Sequence, residues 1–505
     1  MSEIVRVQEI ISKLWNLKIA SKNCLNLVTI ISTVAYDPSF ETNGSFKDFV
    51  SRLLARRDSY RIRRFSLKLR SLEFDSAKYN LVNDCVRNVL HRGVLDLELD
   101  IDVNEDYTLP FEVFTCKKVV KLKLGSGFVI DNIPKNALLP ALKTLSLDKV
   151  RFNDKSGGCA FTRLVSACPV LEELVIYRNN REDWEWSCIV SSKTLKRLTI
   201  LREDWGDLDG SSYESISFDT PSLEYFEYFD VLRDEYPVVN LKSLVEAKLK
   251  LPLFMVGDTY DVRNLIKGLK NVQILSFGAL DTMQLFYIFR EAVPVFENLF
   301  HLSLTTEAAF CWAVLPILLV KSPNLKTLTI EALHYDTQED TVCECLEGYS
   351  FLSSCHIEVL RITQFEGDIG EMVQIKHILE KLPSLELLEI HCQARRDEKK
   401  LHIMLDLLML ERASSECKVE LTDAFESHLI VSSVERQENH FSISSSNAEL
   451  LEKFGNFHQL ILNPDASWID QNSKVGIGWT LHDSQGRYIL KGSASIEPTN
   501  SALEA

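Results

Sequence analysis

Several things are scarce or missing in this chain of 505 residues. No run of 18 or more apolar residues occurs, which excludes a membrane-spanning helix on length alone. Positive charge is short. Lys and Arg total 56 against 72 Asp and Glu, a formal net charge of −16. Nucleic-acid binders normally carry a basic stripe, so this balance argues against that class; it leaves a basic protein partner open without requiring one. Glycine (19) and proline (14) are few, as in ordinary soluble proteins. The opening MSEIVRVQEIISKLWNLKIASKN scatters acidic and basic residues among apolar ones and lacks the basic–apolar–small layout of a signal peptide. The 12 cysteines form no regular framework, and Cys168 and Cys392 fall at apolar helix or strand positions. That usage fits reduced thiols, and so a cytoplasmic or nuclear location.

Catalytic signatures are missing as well. The 11 histidines contain no H-E-x-x-H grouping, and no Ser/His/Asp arrangement follows a nucleophile motif. GSGF at 125–128 lacks the Gly-Lys-Ser/Thr that would make a phosphate loop. Cys343, Cys345, Cys355 and His356 lie close together, but C-x-C followed by an adjacent Cys-His is a poor match to paired zinc knuckles. Unpaired thiols beside a strand are the expectation there, with no metal and no cofactor. RIRRFSLKLR at 61–70 is basic but alternates into an apolar strand, which points to a solvated strand face in preference to a nucleic-acid patch.

What is present is a repeated phrase. Leu-x-x-Leu-x-Ile/Leu recurs as LPALKTLSL at 139–147, CPVLEELVI at 168–176, KTLKRLTI at 193–200, SPNLKTLTI at 322–330 and LPSLELLEI at 382–390. Its leading apolar residues include Leu142, Leu171, Leu195, Leu223, Leu244, Val272, Leu299, Leu325, Ile357 and Leu385, spaced 21 to 32 residues apart. A period in that range marks a leucine-rich repeat solenoid. Leu328 and Ile330 alternate with Thr327 and Thr329, a strand with one apolar face. So short a strand buries that face only when neighbouring repeats stack into a parallel sheet. The returning segments read as helices. Phe161, Leu164, Val165 and Cys168 share one helical face ended by Pro169, and Ile375, Ile378 and Leu379 share another ended by Pro383. Function in such a fold sits on the exposed strand positions and edge loops, which a single sequence does not rank.

The fold class expected is therefore α/β, an irregular horseshoe solenoid of parallel strands plus helices. Residues 1–45 are weakly patterned. The solenoid is assigned to 46–338, with regular repeats from near residue 60 running on to about 392. LHIMLDLLMLERASSECKVEL reads as a helix and a closing strand, the cap of a unit at 339–422. The Ser-rich 423–458 reads as a linker, and 459–505 as a separate piece.

Ordered phrases carry a resemblance. FVSRLLARRDSYRIRRFSLKL, HRGVLDLELDI, LPFEVFTCKKVVKLKLGSGF, LPALKTLSLDKVRF and LVSACPVLEELVI, with CHIEVLRITQFEGDIGEMVQIKHILEKLPSLELLEI toward the C-terminus, are similar to the plant family of F-box/LRR proteins with an FBD domain. The resemblance spans about residues 46–422. It implies a repeat domain that captures a protein partner, and in complete members an N-terminal F-box hands that partner to a ubiquitin ligase through a Skp-type adaptor. An F-box would open with Leu-Pro, which residues 1–40 lack, so the F-box is read as absent or degraded and direct adaptor binding is not expected. The tail LNPDASWIDQNSKVGIGWTLHDSQGRYILKGSASI resembles the start of a retroelement ribonuclease-H-like domain, with three antiparallel strands in order. The resemblance puts Asp465 at the first of about four metal-holding carboxylates; Glu504 reads as the residue before the second. One carboxylate does not hold two divalent ions, so no catalysis is expected. The expected function is a non-enzymatic protein-interaction module of the substrate-receptor type. The alternative is nucleic-acid binding or hybrid cleavage through the tail.

Overall fold

The computed structural model describes residues 30–423, except 38–44, 56–60, 72–75, 104–106, 126–127, 131–132, 153–159, 179–187, 203–214, 254–259, 279, 306–313, 332–349 and 395, together with 461–467, 475–482 and 488–496. Fifteen strands form one sheet in chain order, each hydrogen-bonded in parallel to the next, from Ile30–Tyr36 to Lys418–Asp423. Each repeat adds one strand, as the phrase Leu-x-x-Leu-x-Ile/Leu requires.

Register explains why the leucines recur. One inward row runs Leu122, Leu145, Leu174, Leu198, Phe226, Ala247, Leu275, Leu302, Leu328, Leu360, Leu388, each the partner of the next. A second row runs two residues later, through Leu147, Ile176, Ile200, Tyr228, Leu249, Phe277, Leu304, Ile330, Ile362 and Ile390. All of them are buried in a single continuous core. Each Leu, Ile or Phe among them contributes about 1.5–3 kcal/mol relative to leaving it exposed. A one-residue slip in any strand would turn both rows to the open face, so the register is strongly specified.

Helices cover the inward face where the repeats leave room. Ala160–Ser166 buries Phe161, Leu164 and Val165, and Ile369–Leu379 buries Ile375, Ile378 and Leu379, the faces that the spacing predicts. In the middle of the chain the helical expectation fails. Cys188–Ser191, Ile216–Asp219 and Val239–Asn240 instead form a second, three-stranded parallel sheet. Two of these strands fall in short repeats, 24 residues from Leu171 to Leu195 and 21 from Leu223 to Leu244, whereas Ile216–Asp219 falls in a 28-residue repeat, as long as others that carry a helix.

The sheet also starts earlier than residue 46. Ile30–Tyr36 pairs with Arg61–Ser71, and the Tyr36 ring packs on Phe46 and Phe49 at 5.3 and 5.0 Å. IISTVAY lacks the leading leucine of the phrase, which hides it in the sequence. At the other end the expected helix and closing strand are Asp397–Met409 and Lys418–Asp423.

A sharp turn joins Val359–Phe365 to Ile369–Leu379. Gly367 has φ +80°, and a Cβ there would collide with Ile403, so glycine is needed twice over. The buried Glu371 carboxylate accepts the backbone N–H groups of Glu366, Gly367 and Asp368 at 3.1, 2.7 and 3.0 Å, which satisfies donors the helix start leaves open. Ile461–Ser467, Val475–His482 and Tyr488–Ile496 pair antiparallel in chain order, as the tail pattern predicts. Asp465 lies within the first of these strands, opposite Gly478. Residues 1–29, the linker and Glu504 lie outside the described residues.

Candidate protein-interaction face

Alternation sends the remaining strand positions to the face opposite the helices, in outward rows whose chemistry changes along the solenoid in three zones.

At the N-terminal end the rows are charged and paired across strands. Arg64 meets Asp96 at 3.3 Å, Lys68 meets Asp37 at 3.8 Å, and Lys123 meets Glu98 at 3.2 Å. Burial works against the Glu98 charge, but the Ser66 hydroxyl at 2.9 Å and Lys123 more than offset it and hold its pKa below the usual value. The basic run at 61–70 is therefore a solvated strand face with carboxylates from neighbouring strands beside it. Exposed pairs of this kind contribute little stability, about 0–1 kcal/mol each.

The centre is aromatic. Tyr177, Leu201 and Phe229 occupy successive positions of one outward row, with Lys250 next. Tyr225, two rows across with the Glu227 row between, is buried beneath the Arg197 guanidinium, which lies 3.9 Å from its ring centre. The Tyr225 hydroxyl donates to Glu227 at 2.8 Å, and Lys248 pairs with Glu246 at 3.5 Å. A stacked Arg–Tyr pair beside half-buried apolar side chains is the composition that dominates protein interfaces.

Toward the C-terminal end small hydroxyls take over at Ser276, Ser303 and Thr329, followed by Arg361 and Glu389 in the same row. His301 Nε2 and Thr329 Oγ1 share a 2.9 Å hydrogen bond, and burial, with Arg361 nearby, pulls the His301 pKa below its ordinary value. Glu389 is bonded to His391 and Arg361, each at 2.9 Å. The His391 hydrogen bond and Arg361, against the opposing effect of burial, bring its pKa down to about 2. A depressed carboxylate stabilises the fold above its unfolded pKa, near 4.5, and the contribution is lost as pH falls toward 2. Acid titration of thermal stability is expected to show a fall across that window, and Glu389→Gln to flatten it; an unchanged profile would refute the assignment.

Beneath the aromatic centre lies a buried ionic cluster. Leu198, Ile200 and Arg202 alternate inward, so the last side chain of this strand carries a charge into the interior. Arg202 Nε donates to Asp230 Oδ1 at 2.9 Å, both side chains being 1% exposed, while Arg233 approaches Asp230 Oδ2 at 3.7 Å. The Val231 N–H also donates to Asp230, at 2.9 Å. Burial opposes the Arg233 charge; Asp230 outweighs that and raises its pKa. Arg202 is the last residue of its strand and Asp230 directly follows Phe229, so the cluster sits at the ends of these strands.

Along the edge where the strands begin, a shallow groove of about 680 Å³ is lined by Val120, Pro140, Lys193 and Thr194, among others. Its Lys143 pairs with Glu172 at 2.8 Å. Of the cysteine–histidine group, Cys355 packs against the core and His356 is exposed; Cys343 and Cys345 lie outside the described residues. Asp465 stands apart from every outward row, in the tail sheet. Sequence reading missed Tyr177, Leu201, Tyr225 and Phe229 because nothing in one sequence ranks outward positions. YFEYF at 225–229 was the available signal. Among the described residues no helix is long and apolar enough to cross a membrane.

The parallel sheet, its register and its open face define the class: a leucine-rich repeat solenoid. Residues 82–244 match the family model described as FBD-associated F-box protein At5g56370, LRR repeats. The chain is 66% identical over 411 residues to F-box protein At3g62430 of Arabidopsis thaliana, covering 80% of this chain and 93% of that one. It is 63% identical over 418 residues to the putative F-box/LRR-repeat protein At5g15620 and 48% identical over 430 residues to F-box/LRR-repeat protein At3g62440, both of Arabidopsis thaliana, with the same coverage. The chain belongs to the plant F-box/LRR-repeat family.

Proposed function

We propose that the chain is a non-enzymatic protein-interaction module whose open sheet face captures a protein partner, as the partner-binding part of a ubiquitin-ligase substrate receptor. The observation that carries this reading is the uninterrupted row of outward side chains on fifteen parallel strands, with an aromatic–arginine centre. Membership of a family whose members are named for F-box and repeats supports the same role. Residues 339–422 act as its FBD-type cap. Residues 1–45, without a Leu-Pro opening, do not recruit a Skp-type adaptor. The protein works in the cytoplasm or nucleus.

The three antiparallel tail strands support a second, subordinate reading, a ribonuclease-H-like sheet in which Asp465 matches the first carboxylate. Within residues 459–505 the likeness reaches only that one of the acids that would hold two Mg²⁺ ions, and we propose no catalytic role for this segment.

One preparation of the full chain tests both halves. Mixed with a purified Skp-type adaptor it is expected to give no stoichiometric complex, and with Mg²⁺ and an RNA–DNA hybrid no cleavage. A stable one-to-one complex would overturn the loss of the F-box. Cleavage abolished by Asp465→Asn would overturn the non-enzymatic reading.

A further inference from the structure

Resting on the open face as the partner-binding surface, the geometry points to where and how the partner is held. We propose that the trough formed by Tyr177, Leu201 and Phe229 anchors an extended partner segment in which an apolar side chain is followed, one or two residues on, by a carboxylate.

The trough is apolar over three adjacent strands, and strands lie about 4.8 Å apart. It therefore spans about 10 Å from Tyr177 to Phe229 and reaches Lys250 one strand further on. An extended chain advances about 3.3 Å per residue, so a side chain seated on Leu201 and Phe229 puts the next residues over Lys250. What selects a carboxylate there is the local distribution of charge. The nearby acids are engaged, Glu227 by the Tyr225 hydroxyl at 2.8 Å and Glu246 by Lys248 at 3.5 Å. Among the described residues Lys250, next to Phe229 in the same row, makes no ion pair, so the cation at the end of the trough is available to an incoming anion. Arg197, over the Tyr225 ring at 3.9 Å, lies two outward rows away and is not part of the trough. Gly278 keeps the far side open. A Cβ there would already lie 3.7 Å from Lys250 and 3.8 Å from Phe229, so any larger side chain would lean over both.

Further toward the C-terminal end the same row carries Thr305 and Glu331, which offer neither apolar area nor a cation. The partner's apolar anchor therefore belongs on the Tyr177–Phe229 side and its carboxylate toward Lys250, which also fixes the direction of the bound segment.

The test is selection of a random dodecapeptide phage library on the immobilised full chain and on its Phe229→Ala, Lys250→Glu and Gly278→Leu variants. All three positions lie on the open face and leave the buried rows intact, and circular dichroism melts check that each variant is folded. On the parent chain, peptides with an apolar residue one or two positions before Asp or Glu are expected to be enriched at least tenfold over the unselected library. Lys250→Glu is expected to replace Asp/Glu by Lys/Arg in the selected peptides. Phe229→Ala and Gly278→Leu are expected to abolish the enrichment. Peptides enriched alike on all four proteins would overturn the trough and leave the interaction reading standing. An empty selection on the parent chain would overturn both.

Discussion

Asp230→Ala is expected to destabilise the chain by about 3–5 kcal/mol, the cost of leaving buried charges without their counter-ion. Arg202 and Arg233 both approach this one carboxylate, and all three side chains are 1% exposed or less. Water does not reach in to replace Asp230, so each guanidinium keeps its desolvation penalty while losing the attraction that offset it. The backbone N–H of Val231 loses its acceptor too. The contrast that identifies the mechanism is a triple replacement, Arg202→Met, Asp230→Leu and Arg233→Met. It removes every charge at similar volume and is expected to cost far less than the single change. Denaturant midpoints followed by circular dichroism compare the two. A single variant within about 0.5 kcal/mol of the parent, the range of ordinary surface changes, would show that the cluster is not what holds these strand ends. Because the cluster lies under Tyr177 and Phe229, the single variant is also expected to weaken peptide capture, although it touches no partner.

That cluster illustrates what the sequence does and does not disclose. Leu198, Ile200 and Arg202 obey a period of two, and the rule that names the first two as core names Arg202 as well. Nothing local says that Asp230 arrives beside it, because that depends on the next repeat's register, 28 residues away. The inward rows were legible because one physical requirement, burial of a six-residue strand, repeats the same residue types at each turn. Ile30–Tyr36 was not legible, since an edge strand with one neighbour needs less apolar patterning. The short strands at Cys188–Ser191 and Ile216–Asp219 were hidden for a different reason. Each has only four residues and finds its hydrogen-bond partner in a neighbouring repeat, which no single segment discloses. The open face was least legible of all, as Tyr177, Leu201 and Phe229 come together only when three repeats stack.

Leu302→Ala is the second large effect, with an expected loss of about 2–5 kcal/mol from lost burial and the cavity left behind. Leu302 is fully buried and sits between Leu275 and Leu328 in the first inward row, so its neighbours are matching leucines on both sides. Backbone hydrogen bonds hold each strand at fixed register to the next, which restricts collapse of the row into the gap and favours the upper part of that range. The solenoid also gives the change a directional signature. Each repeat contacts only its neighbours, so weakening one interior interface uncouples the repeats before it from those after it. Hydrogen exchange is expected to show one uniform opening in the parent become two in the variant, divided at the strand His301–Thr305. Thr327→Ala, an outward change on the adjoining strand, is expected to stay within about 0.5 kcal/mol and leave the exchange pattern whole. If Leu302→Ala loses less than about 1 kcal/mol, or opens every repeat together, the picture of a one-dimensional stack coupled through its leucine rows fails.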